Sequence, residues 1–457
     1  MTAADLNGAN VTVVGLGKSG LAALALLRTH GARLAAVDAK PLAELSGAAV
    51  RLEELGAVFR PQSPGAFADS DLIVLSPGVP VDLPELTLAR ARGAPLIGEV
   101  ELAGWFLKGP SIGITGSNGK TTATALTGHI LSAAGIPAQV GGNIGNPPTN
   151  MIDSSRDDQW NVLELSSFQL ETIRHFRVTV GAVLNVTPDH LDRHHTMAAY
   201  VAAKRRILET QRPGDRAILN ADDSVCREYA AGVRSSPVWF STTIRPAFGF
   251  WQDDRRIWCD DSPVLNIAEI PLRGAHNVEN VMAAAAAARL AGAPLETIAA
   301  AVRTFPGVEH RLEFVRTVGG VDWYNDSKAT NVDAALKAVH AFSGRLWIIL
   351  GGKDKGSDYR PLGSALRGRA HAALLIGAAA EKIAGHLGDC VEAIPCGDLP
   401  AAVAEAYRRA RPGDIVLLAP ACASFDQFTS FEHRGRVFKD LVRSLVETGR
   451  REDSRCA

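Results

Sequence analysis

Short, uninterrupted apolar runs recur along the chain, each followed by a glycine-bearing or polar turn and then by apolar positions at helical spacing. Residues 11–14 form the first run; Gly15-Leu16-Gly17-Lys18-Ser19-Gly20 turns the chain, and 21–27 continue as a helix. A second run, 34–37, ends in Asp38, and a third, 72–75, enters Ser76-Pro77-Gly78. Continuous apolar strands alternating with helices predict parallel sheets covered on both faces. The first such unit ends near Gly98. A second holds strands at 111–115, 160–165 and 182–186, and a third holds strands at 346–350, 373–376 and 415–418 with helices such as 333–340 and 400–410. The stretch 235–270 breaks the pattern: it alternates apolar and polar residues and carries three of the seven tryptophans. It predicts a small antiparallel piece grafted on the second sheet. An alanine-rich helix from Asn280 follows, and Pro306-Gly307 punctuates the chain before the third unit.

A length of 457 residues suits three domains better than one. With 46% hydrophobic and 21% charged residues each domain can build a core, which excludes a mainly disordered chain. The 48 Lys and Arg nearly cancel the 49 Asp and Glu, so no nucleic-acid partner is expected. No apolar stretch reaches the ~18 residues of a membrane span; the alanine-rich run 282–288 is stopped by Arg289 and Gly292. The start, MTAADLNGAN, has neither the basic segment nor the apolar core of a signal peptide. Cysteines at 226, 259, 390, 396, 422 and 456 form no Cys-x-x-Cys pair, as expected of reduced thiols in a cytoplasmic protein. The charged tail from Glu447 is expected to fray.

The strongest chemical signal is Thr115-Gly116-Ser117-Asn118-Gly119-Lys120-Thr121-Thr122, between an apolar strand and a helix. Such a loop aims backbone N–H groups and a helix N-terminus at phosphate oxygens. Lys120 would balance the β/γ charge and the Thr121 hydroxyl would join a magnesium shell. The strict Walker spacing needs glycine at 114, where this chain has Ile114, so the match is to a shorter variant. The first glycine loop with Asp38 fits a dinucleotide fingerprint and equally another nucleotide or diphosphate ligand. Glu164 and the segment Asn185-Val186-Thr187-Pro188-Asp189-His190 follow apolar strands, at the carboxyl edge where open α/β sheets bind ligands. The histidine spacing at 190–195 is not that of a zinc site; magnesium held by Glu164 and His190 beside a triphosphate fits better. His194 and His195 read as solvent-exposed. In the third unit the segments 325–331, 351–355 and 419–428 also follow strands and argue for one site facing the phosphate loop.

These residues carry a resemblance. TGSNGKTT, GGNIGNP, LELSSFQLE, LNVTPDHLDRH, AAKRRI, HNVEN, HRLE, NDSKATN, GGKDK and PACASFDQF occur in one order, and the likeness runs from Gly15 to Phe431. Together they resemble the Mur ligase family. LELSSFQLE, NDSKATN and the SFDQF segment point to its D-glutamate-adding branch. Another Mur-type or folylpolyglutamate-synthase-like amide ligase would share the phosphate loop. The resemblance implies an α/β enzyme of three domains, each on a mainly parallel sheet with flanking helices. They are a Rossmann-like domain for the UDP end of the substrate (1–98), a P-loop ATPase-like domain (99–307) and a Rossmann-like amino-acid domain (308–457). It implies ATP-driven addition of D-glutamate to UDP-N-acetylmuramoyl-L-alanine, with two magnesium ions, in a cytoplasmic monomer that makes peptidoglycan precursors. It decides the first glycine loop against NAD.

By the same resemblance, Lys18, Ser19, Asp38, Gly78 and Asn143 match contacts to the UDP-linked substrate. Residues Gly116, Ser117, Asn118, Gly119, Lys120, Thr121 and Thr122 match the ATP phosphate positions, and Asn277, Arg311 and Asp326 match adenine, phosphate and ribose contacts. Thr121, Glu164, His190 and Lys204, the last as a carbamate, match the magnesium side. Lys120, Glu164, His190 and Lys204 are thereby the expected catalytic set. Lys328, Thr330, Lys355, Ser424 and Phe431 match the side that receives D-glutamate.

Overall fold

The computed structural model describes residues 2–45, 47–354 and 356–446. Lys355, Cys456 and the tail from Glu447 lie outside the described residues. The chain divides into two compact units: Met1–Pro271 with Ala275–Phe305, and Leu272–Gly274 with Pro306–Ala457.

The first unit holds two sheets. One is all parallel, in the order β3-β2-β1-β4-β5: β1 (Asn10–Val14), β2 (Arg33–Asp38), β3 (Val58–Pro61), β4 (Leu72–Leu75) and β5 (Leu96–Gly98). The inner strands β1 and β4 bury both faces, which is why they read as unbroken apolar runs, whereas the edge strand β3 is partly exposed. The chain winds outward from β1 through β2 and β3, then returns to the other side of β1 as β4 and β5. The reversal leaves a crevice at the carboxyl ends of β1 and β4. The helix Lys18–Thr29 packs so closely there that a Cβ on Gly20 would fall 1.9 Å from Gly15 O. The glycine fingerprint is a packing requirement as much as a ligand signal.

The helix Glu99–Gly104 leads out of β5 and clamps two later segments with buried acids. Glu99 Oε1 accepts from Thr149 N at 2.9 Å and Thr149 Oγ1 at 2.8 Å, while Glu99 Oε2 has no hydrogen-bond partner among the described residues. Glu101 accepts the backbone N–H groups of Arg174, His175 and Phe176 at 2.7–3.0 Å.

The second sheet runs β14-β13-β12-β11-β10-β9-β6-β8-β7. Its members are β6 (Ser111–Thr115), β7 (Ala138–Gly142), β8 (Trp160–Glu164), β9 (Val180–Val183), β10 (Arg216–Asn220), β11 (Ser236–Ser241), β12 (Gly249–Gln252), β13 (Arg256–Cys259) and β14 (Ser262–Asn266). The alternating stretch is antiparallel only in part. β11 continues the parallel sheet and β12 pairs with it in parallel; only β13 and β14 run antiparallel. Trp251 and Trp258 are directly opposite across β12 and β13 and stack with ring centroids 5.7 Å apart, so the alternation reports that cross-strand pair. The alanine-rich helix spans His276–Leu290 and lies along the helix Lys120–Ala133; its run of buried alanines permits the close approach.

The second unit carries a sheet in the order β15-β16-β20-β17-β18-β19: β15 (Glu313–Val318), β16 (Val321–Asn325), β17 (Leu346–Gly351), β18 (Ala370–Ile376), β19 (Glu392–Gly397) and β20 (Ile415–Leu418). All pairings are parallel except β15 with β16. The Arg273 guanidinium lies 5.1 Å over the Tyr324 ring and 5.5 Å over Phe342.

Candidate active site

In the second sheet β6 lies between β8 and β9, with Ile114 level with Glu164 and with Ala182. Three carboxyl ends therefore stop at one height, and each runs on into a polar segment. After β6 the phosphate loop leads into Lys120–Ala133, whose N-cap Gly119 has φ +84°. A Cβ at Gly119 would also fall 2.1 Å from Asn280 Oδ1, so only glycine fits. Lys120 Nζ folds back onto Gly116 O at 2.9 Å and Ser117 O at 3.0 Å. The loop is braced from the β9 side: Asn118 N donates to Asn185 Oδ1 at 2.8 Å and Ser117 Oγ to Thr187 O at 2.8 Å. Thr121 and Thr122 are buried at the helix start.

Glu164 ends β8 and is 2% exposed. Its Oε1 accepts from Asn143 Nδ2 at 2.9 Å; its Oε2 has no hydrogen-bond partner among the described residues. A buried carboxylate oxygen without a donor is costly, and a cation is the usual remedy. Lys204, from the helix Met197–Glu209, is 1% exposed, donates to Gly116 O at 2.7 Å and lies 4.5 Å from the Tyr200 ring centroid. Burial first, and the Lys120 charge second, hold its ammonium well below the usual lysine range. His190 is half exposed, adopts φ +53°, and meets Phe168 edge-on with ring centroids 4.9 Å apart. Among the described residues no three His, Cys, Asp or Glu side chains form a metal cage. The donor set nonetheless suits Mg²⁺, which keeps waters and phosphate oxygens and takes few protein ligands.

The expectation for His194 is corrected here: it is buried, 5% exposed. Its Nε2 lies 2.9 Å from Ser167 Oγ and its Nδ1 3.0 Å from Glu171 Oε1, and its ring stacks on Phe168. His195 is exposed.

The crevice of the first sheet opens into a cleft of about 700 Å³. Lys18, Ser19, Asp38, Gly78 and Asn143 all line it, joined by Gln62 and Gln169, which the motif reading missed. Asp38 is not a free carboxylate: it accepts from Leu16 N at 2.8 Å and Lys40 N at 3.0 Å and so shapes the glycine loop. The Lys18 ammonium donates to Gly145 O. Asn143 lines the cleft and also holds Glu164, so cleft and phosphate loop share a wall.

Asn277 is buried at the start of its helix, where Asn280 Nδ2 donates to Asn277 Oδ1 at 2.9 Å. Asn280, the second asparagine of HNVEN, went unread although it touches the phosphate loop. In the second unit, burial pushes the Asp326 carboxyl up to about 6, partly offset by Arg311. Lys328 Nζ sits 5.8 Å from the Phe431 ring centroid, and Ser424 is buried. The segments 325–331 and 419–428 leave β16 and β20 side by side, with Asn325 opposite Leu418. A fully buried guanidinium ties them together: Arg434 donates to Ser327 Oγ at 3.0 Å, Ser327 O at 2.8 Å and Cys422 O at 3.2 Å. Burial pulls Arg434 down to about 10. Its sequence context, a polar helix start, gave no sign of this.

The chain has a phosphate loop in a mainly parallel sheet, with a cleft-bearing parallel sheet before it in sequence and a further α/β sheet after it, and it belongs to the Mur ligase family. Residues 9–98 match "Mur ligase MurD-like, N-terminal domain", 114–288 "Mur ligase middle domain" and 310–422 "Mur ligase, glutamate ligase domain". The chain is 57% identical over 440 residues to a protein of Solibacter usitatus named UDP-N-acetylmuramoylalanine--D-glutamate ligase, covering 96% of this chain and 99% of that one. A protein of the same name from Acidobacterium capsulatum is 54% identical, covering 96% and 97%. Among solved structures, UDP-N-acetylmuramate-alanine ligase MurC from Thermotoga maritima superposes with a TM-score of 0.62 at 20% identity, over 95% of this chain and 99% of that one. MurF from Acinetobacter baumannii superposes with a TM-score of 0.59 at 18% identity, over 83% and 86%. At such identities these two speak for the fold alone.

Proposed function

We propose that the protein is an ATP-dependent ligase that adds D-glutamate to UDP-N-acetylmuramoyl-L-alanine in the cytoplasm, acting as a monomer, with domains 1–98, 99–307 and 308–457. The observation that carries the reading is Asn143, which lines the acceptor cleft and holds the half-satisfied Glu164 beside the phosphate loop. An acceptor with its nucleotide in the cleft would thus bring its far end to the phosphate loop. The names of relatives 50–57% identical to this chain support the same substrate pair.

Lys18, Ser19, Asp38 and Gly78 bind the UDP end. Residues 116–122 wrap the ATP phosphates, with Asn277 at adenine, Arg311 at phosphate and Asp326 at ribose. The acceptor carboxylate takes the γ-phosphoryl group as ADP leaves; the amine of D-glutamate attacks the resulting acyl phosphate. Phosphate leaves from the tetrahedral intermediate and the amine proton is lost. Both reactants of the first step are anions, so positioning and charge neutralisation carry most of the catalysis. Lys120 supplies one positive charge. Magnesium, held by Thr121, Glu164, His190 and a Lys204 carbamate, would neutralise the remainder when bound. The carbamate forms by addition of the Lys204 amine to carbon dioxide with loss of a proton; the amine's burial without an ion pair among the described residues supports it. Lys328, Thr330, Lys355, Ser424 and Phe431 receive D-glutamate.

The test is ADP release by the whole chain with UDP-N-acetylmuramoyl-L-alanine and a panel of D- and L-amino acids. Release that depends on the acceptor and on D-glutamate supports the reading. Turnover with a folate acceptor or another amino acid instead favours the neighbouring ligase classes.

A further inference from the structure

The one-turn helix Leu191–His194 has His190 at its start and, near its end, a side chain that reaches the first domain of the same unit. Arg193 Nη2 donates to the carbonyl of Val79, on the wall of the acceptor cleft, at 2.9 Å. The same nitrogen donates to Glu171 Oε2 at 3.0 Å. Both side chains of that ion pair are largely buried, 13% and 15% exposed. The guanidinium lies 5.2 Å over the Phe168 ring, which also meets the edge of His190 and stacks with His194. Glu171 Oε1 faces His194 Nδ1 at 3.0 Å, so both residues at the end of the short helix are anchored on one carboxylate. The neighbouring pair, His195 with Asp82, is 3.3 Å long but 69% and 62% exposed, and contributes little by comparison.

We propose that Arg193 is a positioning residue that links the acceptor cleft to the His190 segment, so that filling the cleft with the nucleotide end of the acceptor orders the residues at its reacting end. This rests on the acceptor reading above. Binding energy realised far from the reacting atoms accelerates a reaction only if something converts it into alignment there. A planar, nearly buried guanidinium that spans a carbonyl, a carboxylate and an aromatic face fixes one geometry, which a lysine cannot reproduce.

Hydrogen exchange on the whole chain, with and without saturating UDP, tests this in the wild type, Arg193→Met and Arg193→Lys. In the wild type UDP slows exchange at residues 76–83 and also across 190–196. In Arg193→Met, UDP still protects 76–83, while the response of 190–196 falls at least about twofold. Its kcat falls about tenfold or more, with the KM for ATP unchanged. Arg193→Lys keeps the pair with Glu171 and loses the Val79 link, so it gives the same exchange result with a smaller loss of kcat, and it serves if the Met variant does not fold. Equal protection of 190–196 in wild type and variants overturns the inference, as does a kcat loss with an unchanged UDP response. If the wild type does not bind UDP, the acceptor reading itself falls, and this inference with it.

Discussion

Glu99 offers a quantitative test of how the first unit is held together. Its carboxyl is 1% exposed; one oxygen is satisfied by Thr149 and the other by no group among the described residues. Burial outweighs the Thr149 hydrogen bonds and pushes the group from 4.5 up to about 7. The folded chain therefore keeps this proton over a window in which the unfolded chain has lost it. Between roughly pH 4.5 and 7 the folded state binds more protons, so stability falls as pH rises through the window. The full loss amounts to about 3 kcal/mol, at roughly 1.4 kcal/mol per pH unit. Glu99→Gln keeps an acceptor for Thr149 and carries no charge at any pH. Its stability relative to wild type should be near zero at pH 5 and rise to about 2–3 kcal/mol in its favour at pH 8. Exchange of core amides in the unit at pH 5, 6, 7 and 8 measures that difference, and every other titrating group cancels between the two proteins. A difference that stays constant across the series refutes the reasoning, because Glu99 would then titrate alike in both states.

Three further outcomes are expected. Lys120→Ala should lower turnover about 10³-fold with the fold intact, since on the proposed reading the γ-phosphate loses a counter-charge; near-normal turnover in a well-folded variant would sink the phosphate-loop assignment. Lys204→Ala should be nearly inactive and be partly restored by short carboxylic acids in the buffer, which replace a carbamate and not an ammonium; ordinary activity without them counts against the carbamate. Lys355→Ala should weaken D-glutamate binding by about 1.5–3 kcal/mol, the contribution of a charged hydrogen bond, and leave ATP affinity nearly unchanged. An equal fall in ATP affinity would move Lys355 to the nucleotide side.

The parts of the site that were legible in the sequence are those made by contiguous residues. Strand, glycine turn and helix lie next to one another at 111–133, and the physics of the phosphate loop is local, so the motif alone predicts it. The buried strands were legible for the same reason. What stayed hidden depends on partners from distant segments. His194 sits in a polar stretch and reads as surface, because Ser167, Phe168, Glu171 and Tyr200, which bury it, come from elsewhere in the chain. Glu99 and Glu101 likewise look like a solvated helix start until Thr149 and the N–H groups of 174–176 are seen around them. Arg434 passes for a surface arginine, though it crosslinks two loops from inside. The hairpin of β15 and β16 escaped because the partly exposed β15 has no continuous apolar run.

The membership of Leu272–Gly274 in the second unit, between two segments of the first, means that the backbone passes from one unit to the other three times. No single cleavage can divide the protein into independent halves. A fragment starting at Pro306 would lack Arg273 and leave the faces of Tyr324 and Phe342 uncovered; one ending at Phe305 would carry Leu272–Gly274 with nothing to pack on. A cut near 305 would leave Leu272–Gly274 covalently on the first piece and so take from the second piece a segment that belongs to its unit.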